Sequence, residues 1–220
     1  GTLLGALLLQ DETKSTLLIT CHHLLVDLVS WRIMIDDLNA IIKSKLRKAT
    51  THLPEKGSSY YQWVCALEKY ATGHRAQKQI GFWNDVLSKT GDSINQQQTE
   101  GKSNLSNCVS FEFTVSDTGK LVQSLSYSNQ IEINSVLLYA LSMAASKVLG
   151  LRNIRFNLEG HGREEFDTDI QIDRTVGWFT SLFPFNIDAG ELGNHPVNAA
   201  VELNSRLTTL PDKGFGFGVL

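Results

Sequence analysis

Two short apolar runs open the chain, Thr2–Leu9 and Ser15–Cys21, and a polar stretch, residues 10–14, separates them. Apolar runs of strand length on either side of a few polar residues predict a β-hairpin. Directly after the hairpin, apolar residues recur at helical spacing from Trp31 to Leu46 and predict an amphipathic helix. Strand patterns and helix patterns stay intermixed along the rest of the chain without a strict βαβ rhythm. This mixture predicts an α/β fold with mixed sheets.

The remaining patterns divide into helices, strands and one polar stretch. Residues 91–107 are rich in Gln, Ser, Asn and Gly, which predicts a loop or linker. The predicted helices cover residues 59–72, 75–89, 117–126 with Ser116 as cap, 135–148 between Asn134 and Gly150, and 194 to a point before Pro211. The predicted strands cover residues 109–115, 153–158 and 182–187. The aromatic and aliphatic residues expected in the core are Trp63, Leu67, Tyr70, Phe82, Trp83, Leu87, Trp178 and Phe179.

Composition limits the class of protein. The 220 residues are 42% hydrophobic and 20% charged, with a formal net charge of −3, which is typical of a globular chain. The slightly acidic balance argues against a nucleic-acid-binding protein, which requires a clustered cationic surface. No apolar run approaches the roughly 20 residues that cross a bilayer. The three widely spaced cysteines, Cys21, Cys65 and Cys108, form neither a disulfide framework nor a metal knuckle, so a reducing cytoplasm is expected.

The segment from Cys21 to Trp31 contains the first residues that can carry chemistry. His22 and His23 stand where the first helix is about to begin, and histidine is the natural proton carrier because its unperturbed pKa is about 6.5. Adjacent residues of a strand face opposite sides, so one histidine is expected to work and the other to be structural. A buried histidine with satisfied hydrogen bonds is the alternative interpretation. Asp27 is expected to cap the helix or to orient a neighbour, and the set does not suit a tetrahedral metal site.

A second group, Glu159-Gly160-His161-Gly162-Arg163-Glu164, follows a predicted strand. Its glycines suit a tight turn, and a carboxylate at a strand end is a candidate acid or base. A charged turn is the alternative interpretation. The group lacks the third glycine and the following helix of a dinucleotide-binding site. A third group, Arg174–Pro184, contains Gly177, Thr180 and Ser181, whose small polar groups suit the wall of a channel.

Together these segments resemble one family. His22, His23 and Asp27 match the HHxxxD signature of the condensation-type domains of nonribosomal peptide synthetases. The segments at 159–164 and 175–184 resemble the EGHGRE and VGWFTS motifs typical of the epimerization branch. Leu28 departs from the family, which usually has glycine there, and a branched side chain disfavours a positive φ at that turn. Further matches in family order are Gln62-Trp63, Phe82-Trp83, Asn134–Leu138 and Pro211–Gly216.

The resemblance implies a chloramphenicol-acetyltransferase-like fold with mixed sheets, in which two lobes flank a tunnel. By analogy, residues 1–90 are the end of the N-terminal lobe, 91–107 the linker, and 108–220 the beginning of the C-terminal lobe, with the domain truncated at both ends. A peptidyl carrier protein is expected to deliver a phosphopantetheine arm through the tunnel, and adjacent synthetase domains are further expected partners. Neither nucleic acid nor a membrane is implied, and this chain is expected to bind no metal or other cofactor itself.

The resemblance also implies an activity, inversion of the Cα of a carrier-bound aminoacyl or peptidyl thioester from L to D. By the motif match, His23 and Glu159 are the two proton carriers. Two alternatives stay open: a condensation domain that forms a peptide bond between two carrier-bound substrates, and a degenerate docking module without catalysis. Residues expected to hold the shape of the motif are His22, Asp27, Ser30, Trp31 and Arg163, and those expected to touch the tunnel are His161, Gly177, Trp178, Thr180 and Ser181.

Overall fold

The structure is a computed structural model that describes residues 1–92, 109–127, 130–193 and 195–220. Most of the predicted linker, Cys108 and Asn194 at the predicted start of the last helix lie outside the described residues. Contacts within the chain divide it into two units. The first unit comprises residues 1–80, 159–183 and 214–220, and the second comprises residues 81–158 and 184–213. The two lobes predicted at residues 1–90 and 108–220 are parts of a longer domain and are not the same as these units. The boundaries of the lobes therefore stay a prediction.

The predicted hairpin is confirmed. Strands β1 (Leu4–Gln10) and β2 (Ser15–Cys21) pair antiparallel, with Leu7 opposite Leu18. The connection is closed by Asp11, whose carboxylate accepts hydrogen bonds from two backbone N–H groups of the turn at 2.8 and 2.7 Å. Residues on both faces of the hairpin are exposed, and the Leu7 and Leu18 side chains are 53% and 52% accessible.

The first helix, α1, spans Leu28–Leu46 and begins at Asp27, which is its N-cap. Its start therefore lies three residues before the first apolar residue of the predicted pattern. Ser30 and Ile33 are the buried residues of α1, whereas Ile35 and Leu46 on the predicted apolar face are exposed. Lys43 and Lys45 in the last turn place positive charge at the negative C-terminal end of the helix dipole, which stabilises the helix.

Three helices follow in place of the two that were predicted. Helix α2 (Tyr60–Thr72) starts with a reciprocal capping box between Ser59 and Gln62. The predicted helix at 75–89 is divided into α3 (His74–Gln77) and α4 (Ile80–Ser88), and at the break the buried Gln79 amide donates to the Tyr70 hydroxyl at 3.0 Å. The core of the first unit consists of Trp63, Tyr70, Ala76, Ile172, Phe179 and Phe215. The expectation of burial is wrong for Phe82, Leu87 and Trp178, which are exposed.

The strand predicted at 109–115 is wrong. Its alternating apolar residues are exposed, with Phe111 80% accessible, and the strands within the described ranges pair only as β1 with β2 and β3 with β4. Alternation favours a strand only where a neighbouring strand accepts its hydrogen bonds. The chain instead enters helix α5 (Val115–Gly119), capped by Thr114 and not by Ser116, and continues as a π-helical segment to Tyr127.

Helices α6 and α7 pack together in the second unit. Helix α6 (Ile133–Leu149) begins after Glu132, earlier than predicted, and ends at Gly150, whose φ of 69° is the left-handed conformation of a helix C-cap. Helix α7 (Pro196–Thr208) has proline in its first turn, as predicted. Asn204 of α7 accepts hydrogen bonds from the start of α6, and the chain ends in a 3-10 helix, Pro211–Val219.

Strands β3 (Asn153–Gly160) and β4 (Ser181–Asp188) pair with each other, and both were predicted with slightly shorter bounds. The boundary between the units falls inside both strands. Glu159–Gly160 and Ser181–Phe183 therefore belong to the first unit, which also contains the histidine pair. Within the described ranges, none of the helices is long and apolar enough to cross a membrane.

Candidate functional site

Asp27 ends the turn between the hairpin and α1, and it is buried. Its carboxylate accepts a hydrogen bond of 2.7 Å from the backbone N–H of Ser30, which caps α1, and a longer one of 3.3 Å from the N–H of Phe179. Two further bonds of 3.1 Å come from Nη2 of Arg163. Asp27 thus does both things that the sequence left open, because it caps the helix and also orients a neighbour.

Arg163 holds this network together. Besides its ion pair with Asp27, it donates from Nη1 to the carbonyl oxygens of Ile172 and Thr175 at 2.6 and 2.9 Å. The guanidinium lies 4.0 Å from the centre of the Phe179 ring, a cation–π contact. The side chains of Arg163 and Asp27 are 6% and 4% exposed. The ion pair is therefore out of water, and its additional hydrogen bonds compensate part of the cost of desolvating it.

The pKa of the Asp27 carboxyl lies below its usual value. Burial works to raise this pKa, but hydrogen bonds from the backbone and hydroxyl of Ser30 and the charge of Arg163 outweigh burial. Asp27 is therefore an anion that supports the site and does not exchange a proton near neutral pH.

Ser30 joins the first turn of α1 to the loop that precedes β4. Its fully buried hydroxyl donates to the carbonyl oxygen of Gly177 at 2.8 Å and accepts from the N–H of the same residue at 3.0 Å. It also accepts from Arg163 at 3.2 Å. A side chain at position 177 would overlap with the Tyr60 ring and lie 2.8 Å from the Phe179 ring, so glycine is required for this close approach.

His23 lies against Trp178. The two ring centroids are 5.9 Å apart and the rings meet edge to face at 72°. Trp178 is 41% exposed, whereas Phe179, the next residue, is buried. The interpretation of Trp178 as a core residue is therefore wrong, because the hydrogen bonds to the backbone on either side of it direct its side chain outwards and that of Phe179 inwards.

His22 and His23 lie in the turn after β2 and not within a strand, so the argument from alternating strand faces does not apply to them. Both are exposed, yet their surroundings differ. Nδ1 of His22 accepts a hydrogen bond from the backbone N–H of Leu24 at 3.1 Å and closes its own turn. His23 instead presents its ring to Trp178.

Glu159 is an exposed residue of β3, and the turn that follows depends on its glycines. Gly162 has a φ of 67°, and a Cβ there would overlap with the carbonyl oxygen of Phe179. His161 uses both ring nitrogens: Nδ1 accepts from the backbone N–H of Arg163 at 3.0 Å, and Nε2 lies 3.1 Å from a Glu164 carboxylate oxygen. The imidazole of His161 is thus held by its own turn.

The remaining motif residues lie at the starts of α1 and β4. The backbone N–H of Trp31 donates to the carbonyl oxygen of Asp27 at 3.1 Å, and its side chain is half-buried. Thr180 and Ser181 are also half-buried, at the start of β4. Leu28 is the first residue of α1 and exposed, and its φ is not positive. The helix therefore starts without the glycine that the family usually has.

The sequence patterns do not predict two contacts of this site. The Tyr60 hydroxyl donates to the carbonyl oxygen of Trp178 at 2.9 Å, and Arg174 forms an ion pair with Asp37 of α1. The Ser-x-x-Gln pattern that begins at Ser59 is a signal for the start of α2 and so places Tyr60 in its first turn. Nothing in the spacing indicates its partner 118 positions away.

The arrangement suits the transfer of a proton to or from a bound molecule. It presents an exposed imidazole, His23, on a turn that a buried ion pair holds in place, and a second titratable side chain, Glu159, lies in the same unit. Within the described residues, no group of three or more His, Cys, Asp or Glu side chains is placed to hold a metal ion.

Sequence comparison identifies a related family. The family model described as a condensation domain matches residues 1–220. The chain is 30% identical over 223 residues to tyrocidine synthase 2 of Brevibacillus parabrevis and 32% identical over 227 residues to gramicidin S synthase 1 of Brevibacillus brevis. Both matches cover 100% of this chain but only 6% and 20% of the two relatives.

Solved structures show the fold. The epimerization domain from the third module of tyrocidine synthetase B is similar to the whole chain with a TM-score of 0.91 and 30% identity, and the chain spans 51% of it. The first condensation domain of the CDA synthetase is similar over 97% of the chain, with a TM-score of 0.73 and 12% identity. These likenesses confirm the predicted α/β fold of the chloramphenicol-acetyltransferase type.

Proposed function

The chain belongs to the condensation-domain family of nonribosomal peptide synthetases, and from that premise we propose that it inverts the Cα of a carrier-bound aminoacyl or peptidyl thioester from L to D. One observation carries the choice of epimerization over condensation. The whole chain agrees better with a solved epimerization domain than with a solved condensation domain, in both TM-score and identity. The EGHGRE and VGWFTS segments support the same choice.

Inversion requires that the Cα–H bond breaks and forms again on the opposite face. A base takes the Cα proton, and the electron pair of that bond moves towards the thioester carbonyl to give an enolate-like intermediate. A proton then returns to Cα from the other face. The thioester acidifies the Cα proton, and oriented donors in a site with little water stabilise the charge that develops on the oxygen. Two proton carriers on opposite faces of the substrate suit this reaction.

In this proposal His23 and Glu159 are those carriers. The assignment of His23 is supported by its exposed imidazole, which lies on the turn that the buried ion pair of Asp27 and Arg163 stabilises. Glu159 is supported by an exposed carboxylate at the end of β3, before a turn that its glycines make tight. The remaining histidines of the motifs, His22 and His161, hydrogen-bond within their own turns and serve to shape them.

The substrate reaches the site on a partner protein. Condensation-type domains need no cofactor of their own, and in this proposal a peptidyl carrier protein brings the thioester on its phosphopantetheine arm. Thr180 and Ser181, which are half-buried at the start of β4, line the path of that arm. The neighbouring domains of a cytoplasmic synthetase supply the carrier and accept the D product.

Exchange of the Cα proton tests the proposal. The protein in its native polypeptide receives an L-aminoacyl thioester on its carrier in heavy water, and the released product is analysed by mass and by chiral chromatography. We expect deuterium at Cα together with a growing D fraction. The D fraction falls at least about 100-fold in His23→Gln and in Glu159→Gln, the usual loss for a general acid or base. Deuterium at Cα falls as far in the variant that lacks the carrier facing the L Cα–H bond. His52→Gln and Glu165→Gln, two exposed residues with the same chemistry, keep the wild-type rates.

The other outcomes distinguish the alternatives. Exchange that survives in both His23→Gln and Glu159→Gln contradicts the assignment of the carriers. A new amide without exchange, formed when a second aminoacylated carrier is added, identifies a condensation domain. A folded protein that binds the carrier but shows neither reaction identifies a docking module.

A further inference from the structure

The backbone that carries Trp178 is held at three consecutive residues. Side chains from the start of α1 bind both polar groups of Gly177 and the N–H of Phe179. The carbonyl oxygen of Trp178 itself accepts from the hydroxyl of Tyr60, at 2.9 Å. The indole nevertheless remains 41% exposed and lies against the His23 ring, with the two ring planes at 72°. The indole therefore packs against His23 at the surface and does not fill the core.

Tyr60 is suited to hold the Trp178 carbonyl. It is the first residue of α2, whose start is fixed by the capping box. Its ring packs against the rings of Trp63 and Phe179, with centroids 5.2 and 5.1 Å away. Burial, followed by the charge of Asp27, raises the pKa of the Tyr60 hydroxyl. The hydroxyl therefore keeps its proton and stays a hydrogen-bond donor across the physiological range.

Gly177 makes this contact possible. A Cβ at that position would occupy the space of the Tyr60 ring. The ring can come this close to the loop only because residue 177 has no side chain, and the Tyr60 hydroxyl then reaches the carbonyl group of Trp178.

We propose that Tyr60 is a positioning residue, whose hydroxyl fixes the Trp178 peptide so that the indole stays against His23 and holds the imidazole in its reacting orientation. The inference rests on the proposed function for the role of His23 in the reaction, but the contact between Tyr60, Trp178 and His23 is independent of that function. A positioning residue of this kind affects the chemical step more than substrate binding, because it touches neither the substrate nor the reacting atoms.

The test compares Tyr60→Phe with Tyr61→Phe in the native polypeptide. Both substitutions remove one hydroxyl from adjacent tyrosines, and the Tyr61 side chain is largely exposed. The protein is labelled with 5-fluorotryptophan, and the ¹⁹F resonance that disappears in Trp178→Phe is assigned to Trp178. Each variant is also measured for kcat and KM of Cα exchange.

In Tyr60→Phe we expect the Trp178 resonance to shift or broaden, kcat to fall roughly tenfold, and KM to change by less than about twofold. In Tyr61→Phe the resonance and both constants stay as in the wild type. A Trp178 resonance that is unchanged in Tyr60→Phe, an unchanged kcat, or an equal fall in Tyr61→Phe overturns the proposal.

Failure of the proposed function gives a different result. A wild-type protein without Cα exchange contradicts epimerization, and the Trp178 resonance alone then decides whether Tyr60 positions the indole. Should Tyr60→Phe not fold, Trp178→Phe tests the contact between Trp178 and His23 on which the proposal depends, because it replaces the indole with a smaller aromatic ring. A kcat that does not fall in that variant overturns the proposal.

Discussion

Replacing Asp27 by Asn isolates the buried ion pair from the helix cap. Asn is as good an N-cap as Asp, so the bond to the N–H of Ser30 is kept. The charge that balances Arg163 is lost, while the Arg163 side chain, which is only 6% exposed, stays buried. The amide group of Asn also presents N–H donors towards the donors of Arg163. The variant therefore leaves a positive charge buried without its partner.

The cost follows from that burial. Removing one partner of a buried ion pair destabilises a protein by about 3–5 kcal/mol. Arg163 keeps its bonds to the carbonyl oxygens of Ile172 and Thr175, so we expect the lower end, about 3 kcal/mol. The double variant Asp27→Asn/Arg163→Met removes both charges and leaves two carbonyl groups unpaired, at about 1 kcal/mol each. Its loss of unfolding free energy should therefore be smaller than the sum of the losses in Asp27→Asn and Arg163→Met by at least about 2 kcal/mol.

The effect also depends on pH. The folded-state pKa of Asp27 is lowered from 3.8 by Ser30 and Arg163 against the effect of burial. A lowered carboxyl pKa contributes stability that is present above 3.8 and is lost as the pH falls below 3.8 through the folded-state pKa. Asp27→Asn lacks this contribution. The difference in unfolding free energy between wild type and variant should thus narrow as the solution is acidified below pH 3.8.

Urea unfolding followed by circular dichroism measures both effects. We expect a lower midpoint with an unchanged slope, since the area exposed on unfolding stays the same. Asp36→Asn is the matched control, because Asp36 lies on the same helix and is exposed. A loss below about 1 kcal/mol in Asp27→Asn, or a loss equal to that in the control, would refute the reasoning from the buried charge.

Two further predictions concern the backbone and the hairpin. Gly162→Ala should lower the free energy of unfolding in urea by at least about 3 kcal/mol, because a left-handed φ and an overlap with Phe179 act together. Gly150→Ala has a similar φ but open space around its Cβ, and it should lower this free energy by about 1 kcal/mol. Equal losses in the two variants would contradict the overlap. The exposed leucines of the hairpin should make the 220-residue chain self-associate, which sedimentation velocity detects. The double variant Leu7→Thr/Leu18→Thr should reduce this association, and the hairpin should still form because threonine favours strands. Association that does not change in that variant would assign it to another surface.

Local patterns were sufficient where a segment is stabilised by its own neighbours. The hairpin at 4–21 and helix α1 follow from spacing, and Asp27 as a cap follows from its place before the helix. The alternation at 109–115 is as regular, but the structure shows no strand there. A strand needs a partner whose position the local sequence does not encode.

The site depends on contacts between distant parts of the chain. Motif resemblance grouped Asp27 with Arg163, but nothing in the spacing indicates that they meet across 136 positions. Trp178 has the size of a core residue, and its outward direction depends on hydrogen bonds from Ser30 and Tyr60 to the adjoining backbone. Side-chain type alone therefore predicted the wrong side of the loop.

The long separation between the two halves of this network has a consequence during synthesis. The bond from Asp27 to Ser30 spans three residues and can form as soon as α1 leaves the ribosome. The ion pair of Asp27 with Arg163 spans 136 residues, which take roughly 7 to 27 s to translate at 5–20 residues per second. For that interval the nascent chain carries an acidic cap without its cation. Assembly of the turn that carries His22 and His23 thus becomes a late event of folding, and it is complete only when Arg163 and Phe179 bind Asp27.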